Sequence, residues 1–192
     1  MIDKSQFVRL LASYRKDEIV VGTMTGDREW SACSRNCPLD FSVVGAMGYA
    51  SSVGLGLALA QPKRRVIVLD GDGSLLMNLG ALVTIATQSP PNLLHFVLEN
   101  GLYEIAGRVP TPGCGRVSYA AMARAAGWKN VYEYDDLAAA TDGLPRLLTE
   151  PGPSFAVLKV DPGKPDPIQV TESFPSLKEK ARAMEKALRE TG

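Results

Sequence analysis

Short runs of aliphatic and β-branched residues alternate along the chain with stretches whose apolar positions recur at helical spacing. Residues 18–24 (EIVVGTM) predict a strand, preceded by a helix over 4–15. Residues 40–44 predict a second short strand, and 46–60, crowded with small side chains, a helix. The run 65–70 (RVIVLD) is apolar without alternation, the pattern of a strand covered on both faces. Residues 79–88 predict a helix that Pro90 and Pro91 stop, followed by another buried strand over 93–98. A helix at 119–126, a strand at 131–134, a helix at 137–148, a strand at 154–160 and a charged helix at 177–189 complete the reading. Strand followed by helix throughout predicts an α/β fold with a mostly parallel sheet flanked by helices. No repeat or low-complexity tract interrupts it, so residues 1–192 are read as one domain with its core over about 15–160. The Pro/Gly-rich stretches 109–115 and 151–167 are read as loops within it, the second also as a linker to the last helix.

Composition narrows the function classes. With 45% hydrophobic and 22% charged residues the chain is ordinary globular material, which excludes a disordered tail. Lys plus Arg and Asp plus Glu each number 21, so the basic excess expected of a general nucleic-acid or membrane-surface binder is missing. The three cysteines, Cys33, Cys37 and Cys114, are an odd set with no C-x-x-C pair, which argues against a disulfide framework and fits a reducing cytoplasm. His95, the single histidine, lies inside a predicted buried strand and is read as a core residue. No apolar leader follows Met1-Ile2-Asp3-Lys4, so no signal peptide is expected, and the Gly- and Ser-rich apolar stretch 43–60 reads as a packed helix, not a membrane span.

The chemical signal sits where the strongest strand ends, at Asp70-Gly71-Asp72-Gly73-Ser74. In a parallel sheet the ligand crevice lies outside the carboxyl ends of the strands. Two glycines allow a sharp turn and close approach of a ligand, and free backbone N–H groups there suit a phosphate. An aspartate between them suits a hard cation such as Mg²⁺. Alone, such a turn is as well explained by the need to leave a strand and enter a helix. The next buried strand, however, ends in Glu99-Asn100-Gly101-Leu102-Tyr103, and sequential strands are often neighbours. An amide oxygen and a backbone carbonyl would there complete an oxygen-ligand set around Asp72, while alternation turns Glu99 to the face opposite Asn100.

Gly71-Asp72-Gly73, the 25 residues 74–98 and Glu99-Asn100 together resemble the motif of the thiamine-diphosphate-dependent enzymes, with Glu99 in place of its first asparagine. Gly45-Ala46-Met47-Gly48 is similar to a second segment of that family. The resemblance implies the diphosphate-binding (PP) domain, with thiamine diphosphate and Mg²⁺ as cofactors. It implies Asp72, Asn100 and the Leu102 carbonyl as metal ligands and Gly71, Gly73 and Ser74 as diphosphate contacts. It also places Met47 under the bend of the cofactor and the Gly45 carbonyl as the acceptor for its 4′-amino group, with Tyr103 and Ile105 beside it. The activating glutamate belongs to a pyrimidine-binding domain that is not visible in this sequence. The chain is therefore expected to work as a β subunit with a pyrimidine-domain α subunit, as α₂β₂ or a multiple. Within the family it resembles the sulfopyruvate and phosphonopyruvate decarboxylases, which implies a small 2-oxo acid substrate carrying a second anionic group. Arg28 and Arg108 are the candidate cations for that group, and Arg28 and Trp30 follow the first strand where a crevice would open. Ala106 stands near the position of an acid in many family decarboxylases, which leaves proton delivery to the partner or to Glu104. An acetolactate-synthase-like carboligase, an oxidoreductase β chain and a non-catalytic cofactor-binding subunit are the alternatives.

Overall fold

The apolar runs without alternation become the middle of a sheet. The computed structural model describes residues 1–34, 37–43, 45–163 and 176–190. Its strands are β1 (Ile19–Gly22), β2 (Asp40–Ser42), β3 (Val66–Gly71), β4 (Leu93–Glu99), β5 (Leu102–Tyr103), β6 (Val109–Pro110), β7 (Asn130–Tyr134) and β8 (Ser154–Lys159). Its helices are α1 (Lys4–Tyr14), α2 (Met24–Ser31), α3 (Ala50–Ala60), α4 (Asp72–Leu76), α5 (Gly80–Gln88), α6 (Tyr119–Ala125), α7 (Leu137–Thr149) and α8 (Leu177–Glu190). Six strands pair in the order β2-β1-β3-β4-β8-β7, all parallel, while β5 and β6 form a small antiparallel hairpin.

Both faces of the sheet are covered, which is why its central strands read as continuous apolar runs. Phe7 and Leu11 of α1, Trp30 of α2 and Leu144 and Leu147 of α7 pack on one face. Leu55 of α3, Ile85 of α5, Ala123 of α6 and Met184 of α8 pack on the other. The chain steps one way along the sheet from β1 to β2 and from β7 to β8, and α2 and α7 share a face. It steps the other way from β2 to β3, β3 to β4 and β4 to β7, and α3, α5 and α6 share the opposite face. A single hand of crossover requires this sorting. The direction reverses between β1 and β3, so the crevice of an open α/β sheet falls at the carboxyl ends of these two strands.

Four local expectations change. The helix expected over 46–60 begins at Ala50, because residues 45–49 turn and Gly48 holds φ +91, outside helical backbone. The strand expected over 18–24 stops at Gly22 and gives way to α2, whose MTGDREWS sequence carries little helical periodicity. A short helix, α4, starts at Asp72 directly from β3. The segment after β4 folds back as the β5–β6 hairpin. The expected strand end at Val44 and the loop positions 164–167 lie outside the described residues. Among the described residues no helix is long and apolar enough to cross a membrane.

Candidate active site

The carboxyl end of β3 delivers Asp72 into the crevice with 2% of its surface exposed. The carboxyl end of β4 delivers Asn100, whose Oδ1 accepts the Leu102 N–H at 2.8 Å and so tightens the turn into the hairpin. That turn aims the Gly101 N–H at Asp72 Oδ2, 2.9 Å away. The hairpin then returns Thr111, whose hydroxyl donates to the same oxygen at 3.3 Å. β3 and β4 are adjacent in the sheet, with Gly71 level with Leu98, which is what brings Asp72 and the Asn100 turn together. Burial pushes the Asp72 carboxyl up, against the lowering effect of hydrogen bonds from the Gly73 and Gly101 N–H groups and Thr111. Among the described residues no cationic side chain pairs with it, and no cluster of three His, Cys, Asp or Glu side chains forms. A buried carboxylate compensated only by neutral donors is an incomplete electrostatic arrangement that a bound cation completes.

The segment before α3 is pinned to this turn. The Gly48 N–H donates to Ser74 Oγ at 3.0 Å, and the Gly48 carbonyl accepts from Asn78 Nδ2 at 3.1 Å. Ser74 accepts that bond and keeps its own hydroxyl proton to donate. Met47, Gly71, Asp72, Gly73 and Ser74 line one cleft of about 220 Å³, and Asn100, Leu102, Tyr103 and Ile105 line it from the β4 side. Gly45, at φ +76, precedes the wall and does not line it. Gly73 has no room for a side chain: a Cβ there would stand 2.4 Å from the Tyr103 ring. The residues present therefore fit a metal-bound diphosphate, with Asp72, Asn100 and the Leu102 carbonyl as oxygen donors and Ser74 as a hydroxyl donor.

The same cleft has a second wall, of which the sequence singled out only Glu104. Lys4, Met24, Thr25, Gly26 and Glu104 line it. Lys4 Nζ bonds Glu104 Oε1 at 2.6 Å and Thr25 donates to Glu104 Oε2 at 2.7 Å. Burial pushes the Glu104 carboxyl up, yet these two hydrogen bonds and the Lys4 and Arg28 charges outweigh it and hold the group below its ordinary value. Both Glu104 oxygens are thus engaged as acceptors. Met24 stands at φ 49, a left-handed conformation uncommon for such a side chain. Of the other candidates, Arg108 turns away to the Pro162 and Gly163 carbonyls at 3.4 and 2.9 Å, and Arg28 stands 3.9 Å from Glu29 without lining the cleft. Trp30 is a core residue, as is His95, which sits 3.4 Å from Asp70 with both side chains fully buried. Glu99 is absent from the cleft wall, and burial raises its carboxyl while the Lys159 charge lowers it.

Comparison with known proteins places this geometry. The thiamine pyrophosphate enzyme, C-terminal TPP binding domain, matches residues 21–158. Sulfopyruvate decarboxylase subunit beta of Methanothermobacter thermautotrophicus is 39% identical over 86% of this chain and 86% of its own length. Phosphonopyruvate decarboxylase of Streptomyces viridochromogenes is 39% identical over 82% of this chain, which spans only 39% of that protein. The structure of benzoylformate decarboxylase from Polynucleobacter necessarius superposes with a TM-score of 0.74 at 20% identity, over 86% of this chain and 34% of that one, a likeness of fold. The chain accordingly belongs to the thiamine pyrophosphate enzymes, as the C-terminal TPP binding domain of that family.

Proposed function

We propose that this chain is the diphosphate- and Mg²⁺-binding subunit of a two-subunit, thiamine-diphosphate-dependent 2-oxo acid decarboxylase acting on a small substrate with a second anionic group. The observation that carries this reading is the convergence of the Gly101 N–H and the Thr111 hydroxyl on a buried Asp72, which no cationic side chain pairs among the described residues, beside the Met47 wall. Asp72 would hold Mg²⁺ with the Asn100 amide oxygen and the Leu102 carbonyl. The Ser74 hydroxyl would donate to the diphosphate, and Met47, pinned through Gly48, would support the bend of the cofactor. The chemistry the cofactor supplies when bound is an electron sink for the carbon that loses CO₂.

The carboxylates of the cleft support a shared site. Asp72 lies at the metal turn and Glu104 is held on both oxygens, so neither is left to activate an aminopyrimidine. That glutamate then comes from a partner with a pyrimidine-binding domain, as the name "subunit beta" of the Methanothermobacter relative supports. The substrates named for the two relatives, sulfopyruvate and phosphonopyruvate, share a 2-oxo acid and a tetrahedral oxyanion. An α₂β₂ assembly suits a two-fold shared site. The test is CO₂ release with 3-sulfopyruvate, 3-phosphonopyruvate and pyruvate, by this chain alone and with its partner. Activity from the chain alone would overturn the shared site, and strong preference for pyruvate would overturn the acidic substrate.

A further inference from the structure

Among the described residues that line the cleft, three carry charge: Asp72 and Glu104 are anionic, and Lys4 is the one cation. The fold holds that ammonium where it is costly to hold. Lys4 is the first residue of α1, whose positive dipole end disfavours a cation, and its side chain is only 10% exposed. The chain is anchored on both sides of Lys4. Ile2 bonds to β8 on one side, its N–H to the Lys159 carbonyl and its carbonyl to the Asp161 N–H, each at 2.9 Å. On the other side Ser5 donates to Glu29 of α2 at 2.6 Å. A local electrostatic rule broken this deliberately at a cleft marks a functional position.

Glu104 orients the ammonium without exhausting it. An ammonium has three N–H donors, and Glu104 Oε1 takes one. The other Glu104 oxygen is occupied by Thr25. An anion arriving at Lys4 therefore meets a carboxylate with both oxygens already engaged, and an ammonium with donors to spare.

Resting on the decarboxylase reading above, we propose that Lys4 is the specificity-determining residue of the substrate site: its ammonium, oriented by Glu104 and Thr25, binds the sulfonate or phosphonate oxygens that distinguish the substrate from a simple 2-oxo acid. The role falls to Lys4 and not to Arg28 or Arg108, since neither arginine lines the cleft.

The experiment titrates sulfoacetate, phosphonoacetate and acetate into the complex of this chain with its pyrimidine-domain partner, loaded with thiamine diphosphate. The first two carry the tetrahedral oxyanion and acetate does not. Wild type is expected to prefer them to acetate. Lys4→Met should shrink that preference by roughly tenfold to hundredfold, the loss of one hydrogen bond between charged groups, and Lys4→Arg should restore part of it. Lys4→Met combined with Glu104→Gln leaves no unpaired carboxylate in the cleft and should show the same collapse. The ratio between ligands is the informative quantity, since a merely structural role for Lys4 would weaken all three alike. A wild-type preference that survives in both Lys4→Met backgrounds overturns the assignment of Lys4 while the acidic-substrate reading stands. Equal affinity of wild type for all three overturns that reading, and the proposal with it.

Discussion

Exchanging Asp72 for Asn should move stability and cofactor affinity in opposite directions. The carboxylate is 2% exposed and has no cationic partner among the described residues, and burial raises its protonation point despite the hydrogen bonds it accepts. A raised carboxyl value means that the folded state favours the neutral form more than the unfolded chain does, so near neutral pH the charge opposes folding. An amide keeps the shape and can still accept the Gly101 N–H at the 2.9 Å position. What it loses is the charge assistance on the hydrogen bonds from Gly73, Gly101 and Thr111, about 1 kcal/mol each at most, against relief from burying a carboxylate. The unliganded Asp72→Asn chain should therefore unfold at or above the wild-type temperature. The affinity should fall. Losing an outer partner of a metal ligand already costs ~10–100-fold, so losing the one charged ligand should exceed 100-fold, about 2.7 kcal/mol. Thermal unfolding of the chain without ligands, and calorimetry of thiamine diphosphate with Mg²⁺ on the assembled protein, give the two numbers. Mg²⁺-dependent affinity within about threefold of wild type would show that Asp72 is not the metal ligand, whatever the stability did.

Three further outcomes follow from the same geometry. Met47→Ala should leave cofactor affinity within a few-fold, because the diphosphate end dominates binding, and should lower turnover more than tenfold by releasing the bend; turnover within twofold of wild type would reduce Met47 to a packing residue. Gly73→Ala places a methyl 2.4 Å from the Tyr103 ring, so the hairpin must move, with a loss of about 1–3 kcal/mol in stability and weakened cofactor binding by titration; unchanged values of both would contradict the packing described. Burial raises the Asp27 carboxyl above its ordinary 3.8, against the Ser42 hydrogen bond and the Lys180 charge and with help from Asp40. Stability should accordingly decline as pH rises through that raised value, Asp27→Asn should be the more stable protein near neutral pH, and the gap in Tm should close below about pH 4; a gap that stays constant across that range would refute it.

The sheet was legible because its physics is local and repeated. β3 and β4 are buried on both faces, so Val66–Leu69 and, His95 apart, Leu93–Leu98 are apolar in succession and no alternation confuses the reading. The pairing of two turns at the cleft was legible for a different reason: two short segments, 71–74 and 99–103, carry residue types that few structural needs demand together, and adjacent parallel strands bring them to one edge. α2 was illegible because only Gly26, Asp27 and Trp30 of its residues are buried, too few for a periodic signal, and its Gly, Thr and Asp are poor helix formers. The β5–β6 hairpin was illegible because its strands are two residues each and its role is to aim an N–H and a hydroxyl, which leaves no hydrophobic trace. Lys4 gave no signal either. A lysine near the chain start reads as a solvated charge, and its partner is 100 positions away in sequence.

Two positions that were silent in the sequence, Lys4 and Met24, share a property with the legible Asp72. Burying Lys4 at the positive end of α1, Asp72 without a cation, and Met24 in a left-handed conformation each works against the folded state. All three line the same cleft, at the carboxyl ends where the sheet reverses direction. Independent defects scattered over a fold would mark only imperfect packing; defects that converge on one cavity are what a site looks like before its charges are completed from outside. Asp72 awaits a positive charge and Lys4 retains donors for a negative one. Magnesium bound to a diphosphate at one wall and an anionic substrate group at the other would each remove an unfavourable term the unliganded chain carries. Ligand binding should therefore stabilise this protein by more than its contact area alone suggests, with the largest gain when both walls are filled together.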